Sequence, residues 1–116
     1  MSQHVVPGVW WWWLLIVASV LAIWPSCSDR QAEYRREELF QQNCAVCHEA
    51  PNPELKKQPP KLEGLFQRKT LPSGAPATDE QVRRTIIKGI GTMPAFDQRL
   101  STEGVNDLLA YLHELK

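Results

Sequence analysis

Cys44-Ala45-Val46-Cys47-His48 is the stretch on which the reading of this chain turns. A C-x-x-C-H spacing is that of a c-type haem attachment site. Two thiols about one helical turn apart can each add to a vinyl group of one porphyrin, and the histidine after them is then held beneath the iron as proximal ligand. Dithiols of this spacing also serve redox motifs and supply half of a zinc site. A thioredoxin-like dithiol follows a strand in a βαβ pattern, whereas 35–43 reads as a helix. A zinc site needs a second ligand pair, and Cys27, His4 and His113 do not form one. Haem attachment is the reading that fits.

Working outward, the only methionine downstream is Met93, in Gly91-Thr92-Met93-Pro94, 45 residues after His48. A thioether is a soft ligand suited to haem iron, and the adjoining proline stiffens the loop that presents it. The competing reading is an ordinary core or loop methionine; an attachment site upstream favours the ligand.

The chain has 116 residues, and 1–27 differ in character from 28–116. The later part is long enough for one domain with a thin core, to which a covalently bound haem would add much of the bulk. Thirteen basic side chains face 13 acidic ones, all beyond residue 28, which argues against nucleic acid as a partner. Of the three cysteines, Cys27 is left over after the haem pair and has no second cysteine to bond, so no structural disulfide is expected.

Val9 to Trp24 is an unbroken run of 16 apolar or small residues, or 20 if Val5 to Gly8 are included. Twenty helical residues span about 30 Å, the thickness of a bilayer core. Trp10 to Trp13 cluster at one end and Trp24 stands at the other, as indoles do at membrane interfaces. Three readings stay open: an uncleaved single span, a cleaved secretory signal, and a lipoprotein signal in which Cys27 is acylated. No Lys or Arg precedes the run and no small-x-small cleavage site is evident. Ser26 and Ser28 suit lipidation; Trp24 and Pro25 suit it poorly. Arg30, Arg35 and Arg36 come after the run, an arrangement slightly adverse to an external domain by the positive-inside rule. Thioether attachment of haem occurs outside the cytoplasm in bacteria, so 28–116 is expected on the periplasmic side of the cell membrane, tethered through 1–27.

Within 28–116 the pattern is helical throughout. A polar helix from Gln31 to Asn43, with Leu39 and Phe40 inward, leads into the attachment site. Four prolines make 50–60 a loop, 61–69 is a short turn-rich piece and 71–77 a second loop. Thr78 with Gln81 reads as a capping box opening a helix, along which Val82, Ile86, Ile87 and Ile90 share a face and Gly89 marks the end. Ser101 caps a last helix in which Val105, Leu108, Leu109 and Leu112 recur at i, i+3, i+4 and i+7. No segment alternates with period two. The fold class is all-α, with an apolar helix expected ahead of the domain.

These residues resemble the class I c-type cytochromes over 36–115. The resemblance implies the cytochrome c fold, three to four helices around one covalently bound haem c. It implies that Pro60, 12 residues after His48, accepts the histidine ring N–H on its backbone carbonyl, fixing the tautomer. In Pro60-Lys61-Leu62-Glu63-Gly64-Leu65-Phe66-Gln67-Arg68-Lys69 it implies that Leu62 packs on the haem and Arg68 approaches a propionate; a solvated surface charge is the other reading of Arg68. Phe40 and Tyr111 match the aromatics where the terminal helices meet. The chain departs from the family pattern at Arg36, where a glycine usually lets those helices touch, so a looser crossing is expected. It also has no tryptophan beyond residue 24. Gly91-Thr92-Met93-Pro94-Ala95-Phe96 and the helix after it are most similar to small bacterial members, many of them tethered or fused to oxidase and dehydrogenase subunits.

The resemblance further implies a one-electron carrier with His48 and Met93 as axial ligands, and not an enzyme. Its expected partners are membrane or periplasmic redox complexes: an oxidase, a dehydrogenase or a quinol-oxidising complex. Lys56, Lys57, Lys61, Arg68 and Lys69 form either a modest basic docking rim or a solvated loop. The alternatives are a small haem enzyme or a haem sensor with a displaceable sixth ligand. An enzyme needs a distal acid or base, for which His113 is the one spare histidine of the domain, and it reads as a surface residue.

Overall fold

In the computed structural model, residues 27–116 are described. The apolar run expected to form an N-terminal helix lies outside them, and so does most of the proposed tether. Among the described residues no helix is long and apolar enough to cross a membrane, and no strand forms beyond two isolated bridges. Gln31–Lys116 make one unit, and Cys27–Arg30 belong to the segment before it.

Helix α1, Cys27–Phe40, is rich in Arg and Glu, which favour helix by propensity, but only Phe40 is buried. A helix so polar on every side gains little from burial and is held by particular side chains. Phe40 stacks obliquely on Tyr111, with ring centroids 4.9 Å apart and planes at 38°. Arg35 Nε donates to Asp107 Oδ2 at 2.9 Å and Arg36 Nη1 to Glu114 Oε1 at 3.3 Å. Arg36 thus occupies the expected glycine position as a bridge to the last helix, and its buried Nε stands 3.6 Å from Asp107 Oδ1, in ion-pair range but too far for a hydrogen bond. The phenol of Tyr111, between these helices, is pushed above its usual pKa by burial first and then by the charges of Glu37, Glu49 and Glu114.

The helix does not stay regular to Asn43 as its sequence suggests. It widens into a π-helical stretch, Gln41–Ala45, and ends in the single turn Val46–His48. Asn43 Nδ2 donates to the Leu39 carbonyl at 2.8 Å, the acceptor that α-helical geometry reserves for the Asn43 backbone N–H. Such widenings concentrate at functional sites, and this one carries Cys44.

Helix α2, Asp79–Lys88, has Asp79 and Glu80 in its first turn and Lys88 in its last, in agreement with the macrodipole. Thr78 Oγ1 accepts from the Gln81 N–H at 3.4 Å. The reciprocal half of the expected capping box is replaced, because the Thr78 N–H goes to the Pro76 carbonyl at 2.9 Å. Val82 and Ile86 are buried, but the chain leaves the helix at Gly89 and Ile90 is 52% exposed. Helix α3, Thr102–Glu114, buries Val105, Leu108, Leu109 and Leu112 as its periodicity requires, and Ser101 Oγ accepts from the Gly104 N–H at 3.1 Å. The core is closed by Leu65 from the 3-10 turn Leu65–Gln67, by Leu71, and by Phe96.

Candidate haem site

The site is built on three pieces of chain: the end of the first helical run, the loop 49–64, and the turn after α2. Cys44 and Cys47 are free, half-buried thiols. Burial, and then the proximity of Cys47, push the Cys44 thiol up to about 11. His48 comes next in the same turn, held by the Glu49 N–H bond to the Ala45 carbonyl at 3.0 Å.

The loop is braced from within by Asn52 and Gln58. The Asn52 N–H donates to Gln58 Oε1 at 2.9 Å, and Gln58 Nε2 donates to the Asn52 and Leu55 carbonyls at 2.8 and 3.2 Å. Asn52 Oδ1 also accepts from the Glu54 N–H, an Asx-turn. This bracing delivers Pro60, whose carbonyl oxygen lies 2.7 Å from His48 Nδ1. A carbonyl only accepts, so the ring proton is on Nδ1 and the Nε2 lone pair is left for a metal.

Leu62 is half-buried and packs on the core, as do Cys44 and Met93. Arg68 does not point freely into solvent: its Nη2 donates to the Lys61 and Glu63 carbonyls, at 3.2 and 3.0 Å, and so staples the loop just past Pro60. Met93 closes a tight turn with Ile90, N–H to carbonyl in both directions at 2.9 and 3.1 Å. Gly91, first of the two central residues, has φ of 58°, and Thr92 has negative φ, the pattern of a type II′ turn.

Haem c fits these residues. The histidine tautomer is the one an iron ligand needs, both thiols are unbonded, and Val46 and Ile90, next to the attachment site and the Met turn, are large apolar side chains left 65% and 52% exposed. Among the described residues no group of three or more His, Cys, Asp or Glu side chains is gathered to hold a bare metal ion. His113, the spare histidine, is engaged elsewhere. Its Nε2 is 2.7 Å from Asp79 Oδ1 and its ring stacks on Phe66 at 3.8 Å and 10°. Sequence reasoning missed this clasp, because Asp79 and His113 are 34 residues apart. It also missed the Asn52–Gln58 brace, for which two amides flanking a proline-rich loop were the available signal.

The helical fold and the C-x-x-C-H turn with its histidine–proline bond define a class I c-type cytochrome. Residues 31–112 match the family described as cytochrome c oxidase, cbb3-type, subunit III, and the chain belongs to that family, whose members carry covalently attached haem c. It is 34% identical over 79 residues to the cytochrome bc1 complex cytochrome c subunits of Mycobacterium tuberculosis and Mycobacterium bovis, a match covering 67% of this chain. The chain spans about a quarter of the length of those curated relatives, the matched part being 25% of each. Among solved structures it is similar to cytochrome c6 from the diatom Phaeodactylum tricornutum, at a TM-score of 0.50 and 31% identity, covering 67% of this chain and 86% of that one. Haem-based electron transfer is the activity these comparisons support.

Proposed function

We propose that the chain is a membrane-tethered, extracytoplasmic one-electron carrier, with 1–27 as the tether, 28–116 as the haem domain, and no enzymatic activity of its own. The observation that carries the reading is the 2.7 Å contact between His48 Nδ1 and the Pro60 carbonyl, which prepares Nε2 as a proximal ligand. Bound haem supplies a reversible one-electron couple between ferrous and ferric iron. The chain does the rest. Cys44 and Cys47 would hold the porphyrin through thioethers, Pro60 orients His48, Leu62 would cover the macrocycle, and Met93 would be the second protein ligand to the iron. A thioether ligand would favour the reduced state relative to a second histidine, and its presence would keep oxygen and peroxide from the iron.

Arg68 is assigned to a propionate by the resemblance; its bonds to Lys61 and Glu63 engage one terminal nitrogen and hold the guanidinium at the loop next to Leu62. The partners proposed are membrane or periplasmic redox complexes such as an oxidase, a dehydrogenase or a quinol-oxidising complex. The family description and the bc1-complex relatives support that class of partner.

Optical spectra of the purified full chain, oxidised and reduced, with and without carbon monoxide, test the reading. The expected result is the weak far-red band of ferric iron bonded to a thioether and no response to carbon monoxide. Met93→Leu is expected to abolish that band and to open the ferrous iron to carbon monoxide. Ready carbon monoxide binding by the unaltered protein would replace the carrier with a small haem enzyme or sensor.

A further inference from the structure

We propose that Gly89 is the residue that positions Met93 for its axial role; the inference rests on Met93 being the ligand. Gly89 ends α2 with φ of 70° and ψ of 171°, its N–H still bonded to the Thr85 carbonyl at 2.8 Å. At that φ a side chain is strained whatever the space around it. The space is also absent. A Cβ on Gly89 would lie 2.5 Å from the Met93 carbonyl oxygen, 2.8 Å from the Pro94 carbonyl carbon and 2.9 Å from the Ala95 nitrogen. All three are backbone atoms, which cannot turn aside as the end of a flexible side chain would. The Met93–Ala95 backbone therefore rests directly on the Cα of Gly89.

The same piece of chain is anchored on both sides. Upstream, Met93 and Ile90 exchange two backbone hydrogen bonds; downstream, the Phe96 N–H donates to the Ile86 carbonyl at 3.1 Å, and the Phe96 side chain is buried. Pro94 has no N–H with which to make a further anchor. A methyl group at residue 89 would have to push the Met93 carbonyl outward, against the Ile90 N–H bond that carbonyl accepts, and the thioether would move with its backbone. Gly91 is the matched contrast within the same turn. Its φ of 58° is equally left-handed, yet a Cβ there would meet nothing within 4 Å. Backbone strain is common to both glycines; the contact with the Met93 segment belongs to Gly89 alone.

The full chain with haem attached, compared as parent, Gly89→Ala, Gly91→Ala and Met93→Leu, tests this. The readouts are the far-red ferric band, carbon monoxide binding to the ferrous form and the reduction midpoint. Reduced haem c absorbance and helical circular dichroism report haem retention and folding. Gly89→Ala is expected to lose most of the band, to bind carbon monoxide and to shift its midpoint towards that of Met93→Leu, with haem and helix retained. Gly91→Ala, which strains the same turn without that contact, is expected to keep more of the band than Gly89→Ala and to shift its midpoint less. A Gly89→Ala protein with the parent band, or equal loss in both glycine variants, overturns the proposal while leaving Met93 as ligand. A parent without the band, unchanged by Met93→Leu, overturns the ligand assignment and the proposal with it. If Gly89→Ala does not accumulate with haem, a nuclear Overhauser contact between Gly89 Hα and the Ala95 amide proton is expected in the parent, and its absence overturns the proposal.

Discussion

His48 and Glu103 are both set by nearby groups of the chain rather than by an opposite charge. For His48 the partner is the Pro60 carbonyl, which no side-chain substitution at residue 60 removes. For Glu103, its own backbone N–H and then the Ser101 hydroxyl draw the carboxyl below the ordinary 4.5. A folded-state pKa below the unfolded one gives stability that is complete above the unfolded value and lost as pH falls through the folded one. Glu103→Gln is therefore expected to unfold at lower denaturant than the parent near neutral pH, with the two midpoints converging in acid. A difference unchanged down to the most acidic pH would contradict the assignment. At this scale the C-x-x-C-H motif and the histidine–proline spacing were legible, because covalent attachment and tautomer control demand fixed residue types at fixed intervals. The partners of Arg68 and His113 were not, since the direction of a long exposed side chain depends on loop geometry that no interval in the sequence encodes.

At the scale of elements, α3 follows its sequence most closely. All four of its apolar positions are buried, and its serine cap is made. Ser101→Ala removes the acceptor for the Gly104 N–H and is expected to cost about 1 kcal/mol, read from the chemical denaturation midpoint. The elements that departed from expectation did so where a local hydrogen bond competed with a regular pattern. Asn43 occupies the Leu39 carbonyl, and the helix widens across 41–45. Pro76 takes the Thr78 N–H, and the capping box is left half made. Ile90 continues the helical periodicity of α2, yet the left-handed Gly89 turns the chain away before that residue can join the helix.

Across the whole molecule, α1 depends on α3. Arg35 and Arg36 converge on Asp107, whose side chain is only 17% exposed, and Arg36 also reaches Glu114. Exposed pairs are worth about 0–1 kcal/mol, and this partly buried network belongs at the upper end of that range. Asp107→Asn is expected to lower stability by about 1 kcal/mol, with the deficit shrinking as salt is added, because screening already weakens the parent network. Denaturation at low and high ionic strength measures both effects; a deficit independent of salt would assign the loss to packing. The expectation of a looser crossing rested on Arg36 alone, and what the fold shows at that position is an arginine bridging to Asp107 and Glu114. The identity of its acidic partners had to come from the fold.

The placement of α3 also sets an order of events in time. It supplies four of the 11 buried hydrophobic residues among those described, and its Tyr111 covers Phe40, 71 positions earlier in the chain. Polypeptides are made from the amino end, so Cys44, Cys47 and His48 emerge well before the helix that closes the core over them. The burial that raises Cys44 to about 11 is a property of the closed core and is absent from a chain in which α3 has not yet packed. The closing helix thus decides how open the two cysteines are, although it touches neither the motif's spacing nor its residue types.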